Sequence, residues 1–201
     1  MAKAETAKKV IRESGGIAET SAFLKAGISK TDIGKLVTDG VIERIRRGYY
    51  QLAGNYDITE AEYISRLIPE GIVCVESALF HYGYTDFTPR EWSIAVPRSV
   101  SQQKMKTDIV PFKAYYIQPD DYELGRTQAV FEETTLPIYD KERPICDCFK
   151  YRNKLDNELF VKAINAYATD KEKNLSNLSK YAKQLRVHKK VTDMMEVLLN
   201  G

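Results

Sequence analysis

The strongest constraint on this chain lies in residues 1–54: three short helix-periodic stretches, each closed by glycine, followed by an arginine-rich hairpin. Ala7, Val10 and Ile11 share one helical face, predicting a helix over residues 3–14 that Gly15-Gly16 ends. Thr20 reads as the N-cap of a short helix carrying Ala22, Phe23 and Leu24, with Gly27 supplying the turn. Ser29 and Asp32, three apart, form a reciprocal cap before a third helix with Ile33, Leu36 and Val37 at core spacing. That helix ends at Asp39-Gly40. Residues 41–47 then run extended, turn at Arg47-Gly48 and return as Tyr49-Tyr50-Gln51-Leu52. Two helices joined by a glycine turn and followed by a ribbon bury one small core between them, in the order of a winged helix-turn-helix.

Ala53-Gly54-Asn55 reads as a boundary, giving a first domain over 1–54 and a second over 55–201. Helical patterns follow over 56–68, stopped by Pro69 and Gly71, and over 75–82. The period then changes. Trp92-Ser93-Ile94-Ala95-Val96, Phe112-Lys113-Ala114-Tyr115-Tyr116-Ile117, Ala129-Val130-Phe131 and Leu136-Pro137-Ile138-Tyr139 are β-rich. Helical patterns return over 144–151, 157–168, 175–185 and 189–199. The class is α+β: a winged helix-turn-helix, then a larger mixed α/β domain with a helical carboxy-terminal end.

With 43% hydrophobic and 29% charged residues, the chain has a globular composition. No run approaches the ~20 apolar residues of a membrane-spanning helix. Residues 1–6 have neither an apolar stretch nor a cleavage signal, and the three cysteines lack a disulfide framework. The expectation is a cytoplasmic protein with free thiols and no membrane association. The net charge of +2 hides zoning: residues 1–54 carry +4, residues 55–148 carry −7 and residues 149–201 carry +5. Basic ends around an acidic middle point to separate surfaces, one of them facing an anionic partner.

The chemistry sits in the front domain. With Ile33, Leu36 and Val37 inward, the third helix turns Lys30, Thr31, Gly34, Lys35 and Thr38 outward, a short basic face suited to base edges or phosphates in a major groove. Gly34 costs about 1 kcal/mol relative to Ala in a helix interior. Close approach of the second helix, or of a DNA backbone, would compensate. Strand alternation puts Arg44 and Arg46 on one hairpin face, with Arg47 at the turn beside Tyr49, suited to phosphate or minor-groove contact. The residues assigned to double-stranded DNA are Thr20, Ser29, Lys30, Thr31, Lys35, Arg44, Arg46, Arg47 and Tyr49.

Several segments resemble a known family. Gly15-Gly16-Ile17-Ala18-Glu19-Thr20, Ala26-Gly27-Ile28-Ser29, Leu36-Val37 and Ile45-Arg46-Arg47-Gly48-Tyr49-Tyr50 resemble the amino-terminal domain of AbiEi-type antitoxins. Residues 76–85, Ala95-Val96-Pro97-Arg98, and Glu142-Arg143-Pro144-Ile145-Cys146-Asp147-Cys148 running on to Lys154 resemble that family's carboxy-terminal domain. The resemblance implies an abortive-infection antitoxin that represses its own operon at promoter DNA. It also implies that the second domain neutralises a nucleotidyltransferase-like toxin. Lys150, Arg152 and Lys154, basic and beside the motif, are the candidates for antitoxicity.

Enzymatic readings find little support. His81 and His188 are far apart, and His81 reads as a hydrogen-bonded packing residue. Cys146-x-Cys148 has no partnering pair and Cys74 stands alone, so the cysteines read as small buried side chains and no metal or cofactor is expected. There is no phosphate-binding glycine loop. Asp120, Asp121 and Glu123 cluster, but no acidic residue has Lys two positions later, as a D/E-x-K nuclease requires; Pro119 makes the cluster a turn. Arg143 and Asp147, four apart, can pair across a helix turn. The rival reading is a winged-helix regulator whose larger domain senses a ligand through Trp92, Phe112, Tyr115 and Tyr116. Met194, Met195, Val197, Leu198 and Leu199 form either the buried face of the last helix or a dimer contact.

Overall fold

A computed structural model describes residues 2–55, 57–105, 107 and 109–200, apart from the side chains of Gln103, Lys104 and Asn200. Its contacts divide into two compact units. One runs from the amino terminus to Ile68 with a short piece ending at Val110; the other comprises Pro69–Met105 and everything from Pro111 onward.

The first unit follows the predicted order, a helix-turn-helix-like region with a small sheet. Helix α1 spans Ala2–Glu13, β1 Ala18–Glu19, α2 Thr20–Lys25, α3 Lys30–Thr38, β2 Ile42–Arg46, β3 Tyr49–Leu52 and α4 Glu60–Leu67. The apolar positions of the first three helices meet in one core of Ala7, Ile11, Phe23, Ile28, Ile33 and Leu36, closed by Ile42. Helices α2 and α3 stop by one device. Gly27 and Gly40 take φ of +79° and +66°, and the next amide bonds back five residues, Ile28 to Phe23 at 2.9 Å and Val41 to Leu36 at 3.0 Å. The sheet order is β1-β3-β2, all antiparallel.

Four expectations change here. Thr20 is the first helical residue rather than the cap of α2, and Glu19, which precedes it, makes no side-chain cap bond. The Thr20 amide and hydroxyl both donate to the Gly48 carbonyl instead, at 2.8 and 3.3 Å, so the threonine fastens α2 to the hairpin turn. Strand alternation fails at Ile45, an extra residue between the Arg44–Tyr50 and Arg46–Tyr49 pairs. This bulge lets Ile42 and Ile45 both reach the interior. The 56–68 helical pattern yields helix only from Glu60, behind a Thr59–Glu62 capping box, and Tyr56 lies outside the described residues. Helix α4, read as the start of the second domain, groups with the first unit: Tyr63 Oη donates to Gln51 Oε1 of β3, and Ile58 lies against Gly16.

In the second unit a five-stranded mixed sheet runs in the order β6-β5-β4-β8-β7. The strands are β4 Ile72–Val73, β5 Trp92–Pro97, β6 Phe112–Ile117, β7 Arg126–Phe131 and β8 Thr134–Tyr139. The pairs β5–β6 and β4–β8 are parallel; β4–β5 and β7–β8 are antiparallel. The helices are α5 Val75–His81, α6 Pro119–Tyr122, α7 Glu142–Lys150, α8 Asn157–Thr169, α9 Leu175–Gln184 and α10 His188–Asn200. Asp120 and Asp121 thus sit in a single helical turn begun by Pro119, not in a bare turn. Two-residue β4 is too short to show a period in the sequence, yet it lies at the sheet's centre.

Helix α7 is the hub of this core. It starts two residues ahead of Pro144, which costs nothing because first-turn amides have no helical partner. Residues 142–149 are all buried, among them Cys146 and Cys148, which pack as small apolar groups as Cys74 does; all three thiols are free. Arg143 and Asp147 form the predicted pair, Nε to Oδ1 3.2 Å, with both side chains inaccessible. Arg143 Nη1 also donates to the carbonyls of Asp121 and Leu124 at 2.7 and 2.9 Å, and its guanidinium lies 4.4 Å from the Tyr139 ring centre. Gly125, at φ +78°, has no room for a Cβ between Asp140, Arg143 and Tyr181. His81 differs from the reading as a hydrogen-bonded packing residue. It is exposed, with its ring against Phe131 at 4.7 Å. Of the apolar residues in α10, Met195 is buried while Val197 and Leu199 are exposed.

Candidate nucleic-acid interface

Helix α3 is built to present one face. Ser29 Oγ accepts from the Asp32 amide at 3.2 Å, and the Asp32 carboxylate accepts from the Ser29 amide at 3.3 Å and hydroxyl at 2.7 Å. Ile33 and Leu36 are buried, while Lys30, Thr31, Gly34, Lys35 and Thr38 are all exposed. Lys30 and Lys35 enter no ion pair among the described residues. Two uncompensated cations at i and i+5 on a 9-residue helix make a positive face with apolar support behind it.

The cap has a second support that local spacing could not disclose. Lys3 of α1 reaches Asp32 Oδ2 at 2.7 Å across 29 residues of sequence. The Lys3 ammonium and then the Ser29 hydroxyl hold the Asp32 carboxyl down at about 2, against an ordinary 3.8. Because the folded value is depressed, the stabilisation is complete above the unfolded value and disappears as pH falls through the folded one. We expect the Asp32 carboxyl to titrate by NMR with a midpoint near 2, moving back toward the ordinary value in Lys3→Ala. A wild-type midpoint at the ordinary value would remove the pairing.

The hairpin adds Arg44 and Arg47, both exposed, and the half-buried Arg46. Arg44 Nε donates to the Arg46 carbonyl at 3.3 Å, and the Arg46 guanidinium stacks 4.2 Å from the Tyr49 ring centre. Tyr49 therefore helps to orient this guanidinium on the hairpin. Thr20 and Ser29, assigned to DNA from the sequence, spend their hydroxyls inside the fold as described, one on the turn and one on the cap.

The other candidates lie in the second unit. Lys150 pairs with Asp121 at 3.4 Å, Arg152 lies 4.4 Å from the Phe160 ring centre and bonds Asn157, and exposed Lys154 sits 5.8 Å from the Tyr151 ring centre. All three fall at or just after the end of α7, two of them already engaged by neighbours. The four aromatics of the ligand-sensing reading share β5 and β6, with Trp92 paired to Phe112. Tyr115 is buried and burial pushes its hydroxyl strongly upward. A groove of about 450 Å³ between Glu76, Arg90, Lys113 and Asp156 is lined by none of them. Among the described residues no cluster of His, Cys, Asp and Glu is arranged to hold a metal. Among the described residues no helix is long and apolar enough to cross a membrane.

Comparison with known proteins follows this division. Over its whole length the chain matches the fold of the RV2827C protein from Mycobacterium tuberculosis, a crystal structure, with a TM-score of 0.64. The match covers 81% of that chain at 13% identity, a likeness of fold alone. No curated protein matches the sequence. Residues 5–53, which hold α1 through β3, match the model of the family described as transcriptional regulator, AbiEi antitoxin. The amino-terminal module that carries the exposed face of α3 and the arginine hairpin is thus similar to the AbiEi antitoxin regulators, the family the sequence resembles.

Proposed function

We propose that this chain is an antitoxin and transcriptional autorepressor of an abortive-infection operon, acting in the cytoplasm by binding rather than catalysis. In this reading α3 enters the major groove of promoter repeats through Lys30, Thr31 and Lys35. Arg44, Arg46 and Arg47 of the hairpin grip the adjoining backbone or minor groove. The carboxy-terminal domain neutralises a nucleotidyltransferase-like toxin, with Lys150, Arg152 and Lys154 on the surface it uses. The observation that carries the reading is the pair of uncompensated lysines on an exposed, apolar-backed helix within the family-matching module.

Two assays test it with the full chain. The protein should retard duplex DNA from upstream of its own reading frame, with binding that weakens steeply as salt rises. Co-expression should also restore growth to cells carrying the toxin gene of the same operon. Retardation without rescue favours a ligand-responsive regulator. Rescue without retardation removes the repressor half.

A further inference from the structure

Helix α3 contains a glycine that its own protein does not need. Gly34 lies mid-helix at an ordinary helical φ, so no left-handed conformation requires it. It is exposed, and a Cβ built there would meet no atom of the described residues beyond its own helical turns within 4 Å. Close approach of the second helix, one of the two compensations open from sequence, is thereby excluded. Elsewhere a glycine fills a structural need: Gly125 faces Asp140, Arg143 and Tyr181 within about 3 Å, while Gly27 and Gly40 supply positive φ. Gly34 does neither, yet it gives up the helix preference of alanine in a 9-residue helix.

Its surroundings identify what comes near. Lys30, Thr31, Lys35 and Thr38 ring the position, all exposed, and the two lysines have no carboxylate partner among the described residues. The Gly34 carbonyl already accepts from the Thr38 hydroxyl at 3.1 Å, which leaves the bare Cα surface rather than a hydrogen-bonding group on offer. A bare patch between cations admits an anionic wall, with the lysines reaching past it on either side. We propose that the sugar–phosphate wall of a DNA duplex packs directly against the α3 backbone at Gly34, the missing side chain being what admits it. The inference rests on the duplex-binding reading above and adds to it the point of closest approach.

The test exploits opposite signs. In the full chain, Gly34→Ala should melt about 2–4 °C higher, because helix propensity improves and nothing clashes. It should bind the upstream duplex at least tenfold more weakly, and Gly34→Leu more weakly still. No charge is lost, so the slope of log affinity against log salt should match the wild type, whereas Lys30→Ala should flatten it by about one. Binding by Gly34→Ala within twofold of wild type, or a lower melting temperature, overturns the proposal. Unchanged duplex binding with loss of toxin rescue overturns it too, by assigning the bare patch to a protein surface. A wild-type chain that fails to retard its own upstream duplex removes the reading beneath it instead.

Discussion

Asp147→Ala should destabilise the second unit by about 3–5 kcal/mol, the largest single-residue effect expected in this protein. The reason is the partner left behind. Arg143 is fully buried, and the Asp147 carboxylate is the only opposite charge it meets at ion-pair distance among the described residues. Its two carbonyl acceptors supply hydrogen bonds but no net charge, and Nη2 already lacks a partner, as does Asp147 Oδ2. Burial pushes the Asp147 carboxyl upward while the guanidinium opposes it. Removing both charges should therefore cost far less than removing one. Arg143→Met with Asp147→Leu should recover most of the loss. Trp92, the chain's one tryptophan, lies in the second unit, so its fluorescence through a urea titration reports on that unit. A single variant as stable as the wild type would mean that the pair is not ionised.

The second large effect belongs to the hairpin. Arg46→Ala with Arg47→Ala should weaken binding on every duplex alike, since phosphate contacts carry no sequence information. If each arginine releases one counterion, about 30-fold is lost at 0.15 M salt, and the salt slope falls by about two. Arg46 should account for the larger share, because its stacking on Tyr49 orders it before binding. Thr31 or Lys35 variants should instead change which sequence is preferred. A double variant that retards the upstream duplex as well as the wild type would take the hairpin out of the interface.

The first unit was legible wherever one local rule decides a position. The Ser29–Asp32 capping box, the stops at Gly27 and Gly40, the buried face of α3 and the return of the hairpin at Gly48 each depend on residues a few positions apart. Bulges are not of this kind. Ile45 keeps strand propensity and loses only its alternation, because Ile42 and Ile45 must both reach one core. Thr20 has the chemistry of a cap, but the Gly48 carbonyl, 28 residues away, offers its hydroxyl another partner. Helix α4 follows a turn and so reads locally as the start of a domain, whereas Tyr63 reaching Gln51 joins it to the hairpin.

In the second unit the long strands and helices announced themselves by period, and the i, i+4 spacing of Arg143 and Asp147 announced their pairing. What spacing carries no sign of is burial: the pair became an interior charge pair only because β8, α6 and α9 close around α7. The short strand β4 and the Lys3–Asp32 bond likewise exist only once distant segments meet. The sequence by itself determined most of the helices, the Ser29–Asp32 cap and which faces are apolar, since these follow from neighbours within about one turn. Tertiary structure alone decided which polar groups satisfy one another, where a strand must bulge and whether Gly34 has company, because those depend on which surfaces meet.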